Sequence, residues 1–329
     1  MLGAGLVALG LAEEGTPVAG APLTGGVASD IWRADLATGP VCVKRALGRL
    51  RVDAEWVVPT SRTAFEASWL LAADAALPGA VCPVLDFDEA SGVLVLGWLS
   101  PDEHRNWKAE LSAGRVDATV AAALGDRVGR IHAALADRRR FATTFAASEL
   151  FRALRLDPYF AVTASLHPDL ADVLAALATR TATIGLTVIH GDVSPKNVLV
   201  GAHGPVLVDA ECATWGDPAF DVAFCVTHLL LKAVWHPNDA AALLAASQAF
   251  SATYLTHVDW ELPDVLEQRA ATLVPALALA RVDGASPVEY LDDPTRARVR
   301  RRAAELLLHP PDGLDTLHDR WTDDTRSTP

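Results

Sequence analysis

The sequence has little cysteine, and its basic residues are fewer than its acidic ones. Four cysteines stand at positions 42, 82, 212 and 225 of 329 residues, and no two of them form a CxxC pair. So few cysteines exclude a disulfide scaffold and favour a reducing cytoplasmic interior. With 28 Lys and Arg against 41 Asp and Glu, the formal net charge is −13. A net acidic chain is a poor candidate for general nucleic-acid binding.

Long apolar runs are missing as well. No apolar stretch reaches about 18 residues without a charge or a breaker, so the sequence predicts no membrane-spanning helix. The N-terminal segment is apolar, but the first basic residue is Arg33, whereas a signal peptide needs a basic first region. We therefore expect a cytoplasmic protein without a membrane partner. Its length and its ordinary content of 22 Gly and 20 Pro indicate one large domain or two smaller ones.

The first hundred residues are predicted to be mostly strand. Extended runs at 30–36 and 41–45 flank a Gly/Pro turn, which predicts a hairpin with Cys42 and Lys44 on one face. A helix is predicted to follow from its N-cap Ser61, and a second strand pair after that helix.

After the second strand pair, Ala/Leu-rich patterns predict helices at 120–136, 168–178, 219–235, 239–255 and 265–279. We expect an α+β fold of two lobes. A small antiparallel-sheet lobe at 1–96 would be joined by a hinge at 97–101 to a larger helical lobe at 102–329. Binding sites commonly lie between such lobes.

The densest group of polar residues lies at 188–221, in a short β island of the helical half. Apolar triplets between these residues predict a buried backbone, and a buried carboxylate is costly unless it is paired or metal-bound. A turn at 201–204 returns Asp209 close to Asn197. An amide oxygen beside a carboxylate suits Mg²⁺, and Asp192 is left to accept a proton from a hydroxyl.

The pattern HxDxxxxN from His190 to Asn197, followed by the strand-end Asp209, resembles the catalytic and metal-binding segments of the protein-kinase-like superfamily. Its HGD form, and the later segment GDPAFDVA at 216–223, resemble the aminoglycoside phosphotransferase and choline kinase-like family. The resemblance covers about residues 20–235. It implies a bilobal protein-kinase-like fold and a small-molecule kinase.

The resemblance also implies roles for individual residues. Asp192 would be the catalytic base, and Asn197 and Asp209 would hold Mg²⁺. His190 would support the loop structurally, and Asp221 would bond back to the loop from its helix.

The family's D-F-G element is replaced here by Asp209-Ala210-Glu211, so no Phe switch is expected. Glu211 would either assist a second metal or face the substrate. Upstream, Lys44 ends a strand and Glu66 lies on the following helix, in the order and spacing of the strand-lysine and helix-glutamate pair of these kinases.

Two further elements are expected on the nucleotide side. Gly25 and Gly26 stand where the phosphate-covering turn belongs. Backbone groups at Leu96 and Trp98 stand where a connector would bind adenine. ATP and Mg²⁺ are therefore the expected cofactors.

The acceptor is less determined. Two polar-aromatic clusters after the connector contain the candidate substrate residues Arg105, Lys108 and Arg155, and their WKAEL and LDPYF stretches are similar to methylthioribose kinase. An acidic lip that includes Glu211 would favour a cationic acceptor such as an aminoglycoside or choline. The three basic residues would favour a neutral or anionic one.

The leading interpretation is an ATP- and Mg²⁺-dependent phosphotransferase acting on a hydroxyl of a small molecule such as an amino sugar, a sugar or an amino alcohol. One alternative is a protein kinase, but eleven residues between Asp209 and Asp221 leave little room for a segment that docks a peptide. The other is a catalytically silent nucleotide-binding protein, against which the joint presence of Lys44, Asp192 and the metal-ligand pair argues.

Overall fold

The computed structural model describes residues 6–7, 9–13, 18–23, 29–49 and 58–322. Within these ranges a small lobe of antiparallel sheet precedes a larger helical lobe. The predicted α+β, two-lobed architecture is therefore confirmed. The first lobe consists of β1 (Ala19–Pro22), β2 (Ser29–Leu36), β3 (Gly39–Ala46), α1 (Arg62–Ala76), β4 (Val84–Asp88) and β5 (Val93–Gly97).

The sheet of the first lobe has the strand order β1-β2-β3-β5-β4, and all its neighbours are antiparallel. The predicted hairpin at 30–45 is present as β2 and β3. Alternation along β3 buries Val41 and Val43 in a small outer apolar cluster, whereas Cys42 packs against the main core on the other face. Lys44 shares this inner face, and its partner in the ladder with β5 is Leu94.

Helix α1 covers the inner face of the sheet. Its buried side includes Glu66, Trp69 and Leu70. Ser61 stands at the predicted N-cap position, but it has helical dihedrals (φ −55, ψ −15) and makes no side-chain capping bond. A capping side chain requires an extended backbone to reach the free N–H groups of the first turn.

The second lobe begins with β6 (Arg105–Asn106), which sequence patterns did not predict. Its elements up to the β island are α2 (Trp107–Ser112), α3 (Ala118–Ala134), α4 (Arg138–Phe141), α5 (Ser148–Phe151), a π-helix (Arg152–Ala161), α6 (Val162–Leu166) and α7 (Ala171–Thr183). The remaining elements are β7 (Thr187–Ile189), β8 (Val198–Gly201), β9 (Gly204–Leu207), β10 (Thr214–Gly216), α8 (Pro218–Trp235), α9 (Ala240–Leu255), α10 (Pro263–Asp283), α11 (Asp293–Leu308) and α12 (Leu314–Thr322).

The β island consists of two separate sheets. The hairpin β8–β9 is extended by β6, while β7 pairs with β10 instead of joining the hairpin. The segment after α1 also reaches the hairpin: Cys82 N donates to Leu207 O at 3.0 Å, and Leu207 N donates to Ala80 O at 2.9 Å. These bonds fix the first lobe on the hairpin that carries Asn197 and Asp209.

Helix α8 is the centre of the second lobe. Asp217 caps it by accepting from Ala219 N at 3.0 Å, and Pro218 fits the first turn because its missing N–H would be unpaired there anyway. The length and apolar composition of α8 would allow it to span a membrane, but 89% of it is buried inside the fold. It is therefore the core helix around which the other helices pack.

Helices α3 and α9 approach each other closely. A Cβ at Gly125 would lie 2.2 Å from Phe250 O, so only glycine permits this contact. The close packing brings His132 of α3 to Tyr254 of α9, where Nδ1 of the histidine lies 2.9 Å from the phenol oxygen.

Candidate active site

Lys44 and Glu66 meet between the sheet and helix α1. The Lys44 Nζ lies 2.8 and 2.9 Å from the two Glu66 carboxylate oxygens, and the residues are only 4% and 1% exposed. The same ammonium also contacts Oδ1 of Asp209, which comes from the second lobe. A strand residue, a helix residue and a residue after the hairpin thus form one buried ionic group.

This group contains more carboxylates than cations. Burial disfavours the charged form of Lys44, but the carboxylates of Asp209 and Glu66 outweigh it and raise the lysine pKa well above its ordinary value. Burial raises the pKa of Glu66 to about 7 in spite of the neighbouring ammonium. Lys44 is therefore always charged, whereas Glu66 titrates near neutral pH.

Asp221 and His190 shape the loop at 190–197. From the first turn of α8, the Asp221 carboxylate accepts from the backbone N–H of His190 at 2.7 Å and of Gly191 at 2.8 Å. The His190 Nδ1 accepts from Asp192 N at 3.2 Å, which leaves the proton on Nε2 for Val208 O at 3.1 Å. Burial lowers the pKa of His190, in agreement with this neutral form.

Gly191 explains why the loop has the HGD form. Its φ of +75° lies in the left-handed region, which disfavours residues with a side chain. A Cβ there would also lie 2.5 Å from Cys212 O. The loop is therefore pressed against the strand-end segment that follows Asp209.

The carboxylate of Asp192 is buried and held by two cations. Its Oδ2 lies 2.8 Å from Arg155 Nη2 and 3.0 Å from Lys196 Nζ, and the residue is 2% exposed. Burial would raise the pKa of Asp192, but Arg155 and Lys196 lower it well below its usual range. The lowered pKa keeps Asp192 ionised at neutral pH.

Arg155 had been a candidate substrate residue on sequence grounds, and the structure places it on Asp192 instead. It is 8% exposed, and its Nε donates to Gly191 O at 2.7 Å. Arg155 comes from the π-helix, which contains Pro158. Such wide turns often occur at functional sites, and an internal proline was the one sequence signal for this one.

Asn197 and Asp209 are brought together by the hairpin. Asn197 Nδ2 donates to Asp192 O at 3.0 Å, and Val208 N donates to Asn197 O at 3.1 Å. Asp209 adopts a φ of +66°, which is uncommon for a residue with a side chain. Backbone strain of this kind clusters at functional sites.

Oxygen atoms of both side chains are left for a ligand. No described residue donates a hydrogen bond to Asn197 Oδ1 or Asp209 Oδ2. In the described ranges no three His, Cys, Asp or Glu residues cluster to hold a metal by themselves. An amide and a carboxylate oxygen fit Mg²⁺, which takes few protein ligands and completes its shell with water and phosphate oxygens.

Glu211 pairs across the lobes. Its Oε2 accepts from Arg62 Nε at 3.0 Å, and Arg62 also donates to the carbonyls of Leu47, Val58 and Pro59. Arg62 is 0% exposed, and no sequence pattern predicted its contact with Glu211. This ion pair ties the first turn of α1 to the segment after Asp209.

A second supporting contact was also missed. His132 lies between Asp221 and Tyr254, with Nε2 3.3 Å from Asp221 Oδ2 and Nδ1 2.9 Å from the tyrosine oxygen. The structure makes His132 a link between α9 and the carboxylate that holds the 190–197 loop.

The remaining predicted residues lie around this centre. Leu96 pairs with Cys42 in the sheet, and Trp98 follows the last paired residue of β5 and faces Arg33, whose Cζ lies 5.3 Å from its ring centre. Gly25 and Gly26 lie outside the described residues.

Two candidate substrate residues are partly exposed and do not touch Asp192. The Arg105 side chain is 64% exposed and its Nε lies 3.7 Å from a Glu110 oxygen. Lys108 Nζ lies 2.5 Å from Glu289 Oε1, and its side chain is 40% exposed. They lie at the surface, outside the group that holds the Asp192 carboxylate.

Fold and site together define a kinase that phosphorylates small molecules. The chain belongs to the APH family, described as the phosphotransferase enzyme family, whose sequence model matches residues 20–261. The family prediction from the HGD and GDPAFDVA segments is thereby confirmed.

Among curated proteins, the chain is similar to two methylthioribose kinases. It is 27% identical over 274 residues to the one from Pectobacterium atrosepticum, covering 71% of this chain and 68% of that protein. It is 26% identical over 232 residues to the one from Cronobacter sakazakii, covering 63% and 58%. The similarity to methylthioribose kinase expected from two short stretches therefore extends over most of the chain.

Two solved structures share the fold. The amicoumacin kinase hAmiN, in complex with AMP-PNP, Ca²⁺ and Ami, has a TM-score of 0.59 at 14% identity and covers 94% of both chains. The Plasmodium vivax ethanolamine kinase has a TM-score of 0.54 at 10% identity and covers 88% of this chain and 83% of that one. These likenesses confirm the protein-kinase-like fold class.

Proposed function

We propose that this protein transfers the γ-phosphoryl group of ATP, with Mg²⁺, to a hydroxyl group of a small sugar-like molecule or amino alcohol. One observation carries the proposal. The Lys196 Nζ lies 3.0 Å from Asp192 Oδ2 and also acts electrostatically on Asp209, so the expected base and the expected metal ligand share one nearby cation. A transferred phosphoryl group needs positive charge at that place.

On the nucleotide side, Lys44 would neutralise the phosphates, and Glu66 would hold its ammonium in place. Backbone groups at Leu96 and Trp98 would bind adenine, and the Gly25-Gly26 turn would cover the phosphates. Mg²⁺ bound by Asn197 and Asp209 would neutralise charge on the phosphate oxygens.

On the acceptor side, the Asp192 carboxylate orients the hydroxyl. The hydroxyl oxygen attacks the γ-phosphorus, the bond from that phosphorus to the β,γ-bridging oxygen breaks, ADP leaves, and the hydroxyl proton passes to Asp192. Arg155 and Lys196 hold this carboxylate ionised and in one orientation. Because phosphoryl transfer depends mainly on positioning and charge, a base of lowered pKa is sufficient.

The relatives support the acceptor class. Two are methylthioribose kinases by name, and methylthioribose carries hydroxyl groups on a sugar. The AMP-PNP and Ca²⁺ in the amicoumacin kinase complex support ATP and a divalent cation for this chain. The four cysteines are free, and three of them are buried, which supports a reducing cytoplasmic location.

The space available argues against a protein substrate. Strand β10 and the start of α8 occupy most of the eleven residues between Asp209 and Asp221. No extended segment for docking a peptide lies between these two described residues.

An ADP-release assay with ATP and Mg²⁺ tests the proposal. Candidate acceptors would include methylthioribose, sugars, amino sugars, choline-like alcohols and their acidic analogues, with phosphate esters identified by mass spectrometry. We expect at least one phosphorylated product with the wild-type protein and none with Asp209→Ala. Nucleotide binding without any product would favour the catalytically silent alternative.

A further inference from the structure

Beyond Asp192, a row of basic and aromatic side chains leads away from the proposed transfer site. Two guanidiniums lie close to Tyr159, with Arg155 Cζ 5.9 Å and Arg281 Cζ 6.0 Å from its ring centre. Since Arg155 already holds Asp192, Arg281 lies one aromatic ring farther from the reacting group.

Helix α8 carries the second part of this row. Phe224, His228 and Lys232 are four residues apart and share a face. The Phe224 ring centre lies 5.7 Å from Arg155 Cζ and 5.1 Å from the His228 ring. The helix rises about 12 Å from Phe224 to Lys232.

The row ends at Lys232, whose ammonium lies close to two aromatic rings. The Lys232 Nζ lies 5.2 Å from the ring centre of Trp235 and 4.7 Å from that of Tyr290, and the residue is 1% exposed. Arg281 and Lys232 both act electrostatically on His228, and Arg281 also acts on Tyr290. The segment at 286–290 brings the two cations to the same end of the row, since Arg281 donates to Ser286 Oγ and Lys232 faces the ring of Tyr290.

Positive charge exceeds negative charge at this end: Glu289 acts electrostatically on both Arg281 and Lys232, but its carboxylate is bound by Lys108 Nζ at 2.5 Å. Among the described residues, no carboxylate lies within ion-pair distance of Arg281 or Lys232. Lys232 donates only to Ser112 Oγ, at 3.3 Å. One nitrogen of Arg281, Nη1, is bound to Ser286 and to Tyr159 Oη.

The other edge of Arg281 is free for a ligand. Its Nε is buried without a hydrogen-bond partner, and no described residue accepts from Nη2. These two N–H groups form the fork that binds a carboxylate through two parallel bonds. Uncompensated cations in a largely buried place are costly, and an anionic ligand would offset that cost.

We infer that the acceptor carries an oxyanion such as a carboxylate, which the free edge of Arg281 binds. The buried ammonium of Lys232 adds positive charge at the same end of the row. The hydroxyl to be phosphorylated would lie at the other end of the same molecule, against Asp192. This inference rests on the proposed kinase function and narrows its acceptor. Amino alcohols and amino sugars without an acidic group are poor acceptors, because they would bring a further cation into this row.

Matched sets of compounds test the inference. Each set groups related sugars that differ in charge: glucose, glucuronate and glucosamine, and the longer lactose, lactobionate (the acid with its terminal ring opened) and lactosamine. In ADP-release assays the anionic member of a set should have the highest kcat/KM and the cationic member the lowest. In Arg281→Met the KM of the anionic member should rise about tenfold, the loss expected for a charged hydrogen-bonded pair, with less change for the neutral member. Lys232→Met should shift the KM in the same direction.

The control variant is Arg300→Met, which removes a partly exposed cation that pairs with Asp283. It should leave the order of preference unchanged. Preference for a neutral or cationic member, or an unchanged KM for the anionic member in both Arg281→Met and Lys232→Met, would contradict the inference while leaving the kinase function intact.

Thermal unfolding with a non-hydrolysable ATP analogue and Mg²⁺ gives a reading without turnover. The anionic compound should raise the unfolding midpoint of the wild-type protein more than its neutral and cationic partners do, and this difference should disappear in Arg281→Met. Equal shifts, or no shift by the anionic member of either set, would contradict the anion site. An anion-dependent shift without any phosphorylated product would instead contradict the kinase function.

Discussion

Two carboxylates, one in each lobe, are buried to the same degree and behave in opposite ways. Glu66 is 1% exposed and Asp192 is 2% exposed, and burial acts to raise the pKa of both. The pKa of Glu66 does rise, to about 7, whereas that of Asp192 falls below its usual range. Equal burial therefore does not decide the charge of a buried acid.

The neighbouring charges decide it. In the first lobe, one ammonium, that of Lys44, is shared between the helix carboxylate and Asp209. In the second lobe, one carboxylate is shared between Arg155 and Lys196. Under the proposed function, the nucleotide side is thus short of positive charge and suits a divalent cation, whereas the acceptor side has an excess that suits phosphoryl and other anionic groups. A phosphoryl transfer needs both conditions next to each other.

The largest expected effect comes from the acceptor-side carboxylate. Asp192→Asn keeps the shape and removes the proton acceptor, so kcat should fall by about 10²–10⁴-fold, the usual contribution of a general base. Nucleotide binding should persist, because Lys44 and Glu66 are in the other lobe. ADP release and nucleotide-dependent thermal stabilisation measure the two quantities. Full turnover by this variant would show that Asp192 is not the base.

The carboxylate of the first lobe should instead affect the pH dependence of stability. The folded pKa of Glu66, about 7, lies above its ordinary value of 4.5. Its stabilising contribution is therefore fully present below the ordinary value and is lost as the pH rises through about 7. Between about pH 5 and pH 8 the free energy of unfolding should fall by roughly 2–3 kcal/mol from this group alone.

Urea unfolding of the wild-type protein and of Glu66→Gln at several pH values measures this contribution. The amide cannot ionise, so the variant should lose that part of the slope. If both proteins lose the same stability between the two pH values, Glu66 is ionised throughout this range, and the contrast between Glu66 and Asp192 is wrong.

Removing the cation of the nucleotide side should weaken nucleotide binding. In Lys44→Met the loss of charged hydrogen bonds should raise the KM for ATP by about 10–100-fold. Initial rates at varied ATP measure this effect. Arg130→Met, which removes an exposed cation that pairs with Asp126, is the control and should be unchanged. An unaltered KM in the lysine variant would remove Lys44 from the nucleotide site.

The smallest of the four effects is expected for the positioning residue Arg155. In Arg155→Met, kcat should fall about tenfold, and the pKa of Asp192 should rise toward its ordinary value. Because the lowered pKa keeps the wild-type carboxylate ionised in acid, the acid limb of the kcat profile should lie at higher pH in the variant.

Two further variants separate positioning from a merely structural role. Arg155→Lys should restore part of the rate, since it keeps a cation beside Asp192. Arg152→Met removes an exposed charge from the same π-helix, with 48% of the side chain exposed, and should leave the profile unchanged. An acid limb that does not move in Arg155→Met would assign the lowered pKa to Lys196 alone.

Sequence patterns were sufficient wherever the interaction is local or follows from a regular repeat. Alternation along β3 placed Lys44 on the inner face. The turn at 201–204 reversed the chain, so that Val208 hydrogen-bonds to Asn197 and the next residue, Asp209, lies beside it. Contacts between side chains that are far apart in the sequence were not predictable in this way. The pairing of Arg62 with Glu211 spans 149 positions, and no repeat connects the two residues.

The amino-acid sequence by itself determined the two lobes, the helix and strand types of the longer elements, the family, and the set of polar residues around which the site forms. Strand alternation, helical periodicity and a short polar motif carry that information, because each depends on neighbours within one or two turns. Only the tertiary structure decided that Arg155 holds Asp192, that His132 supports Asp221, and that no carboxylate among the described residues lies within ion-pair distance of Arg281 or Lys232. Those outcomes depend on how the π-helix, α8 and α10 pack against one another, and packing sets the distances on which every charge interaction depends.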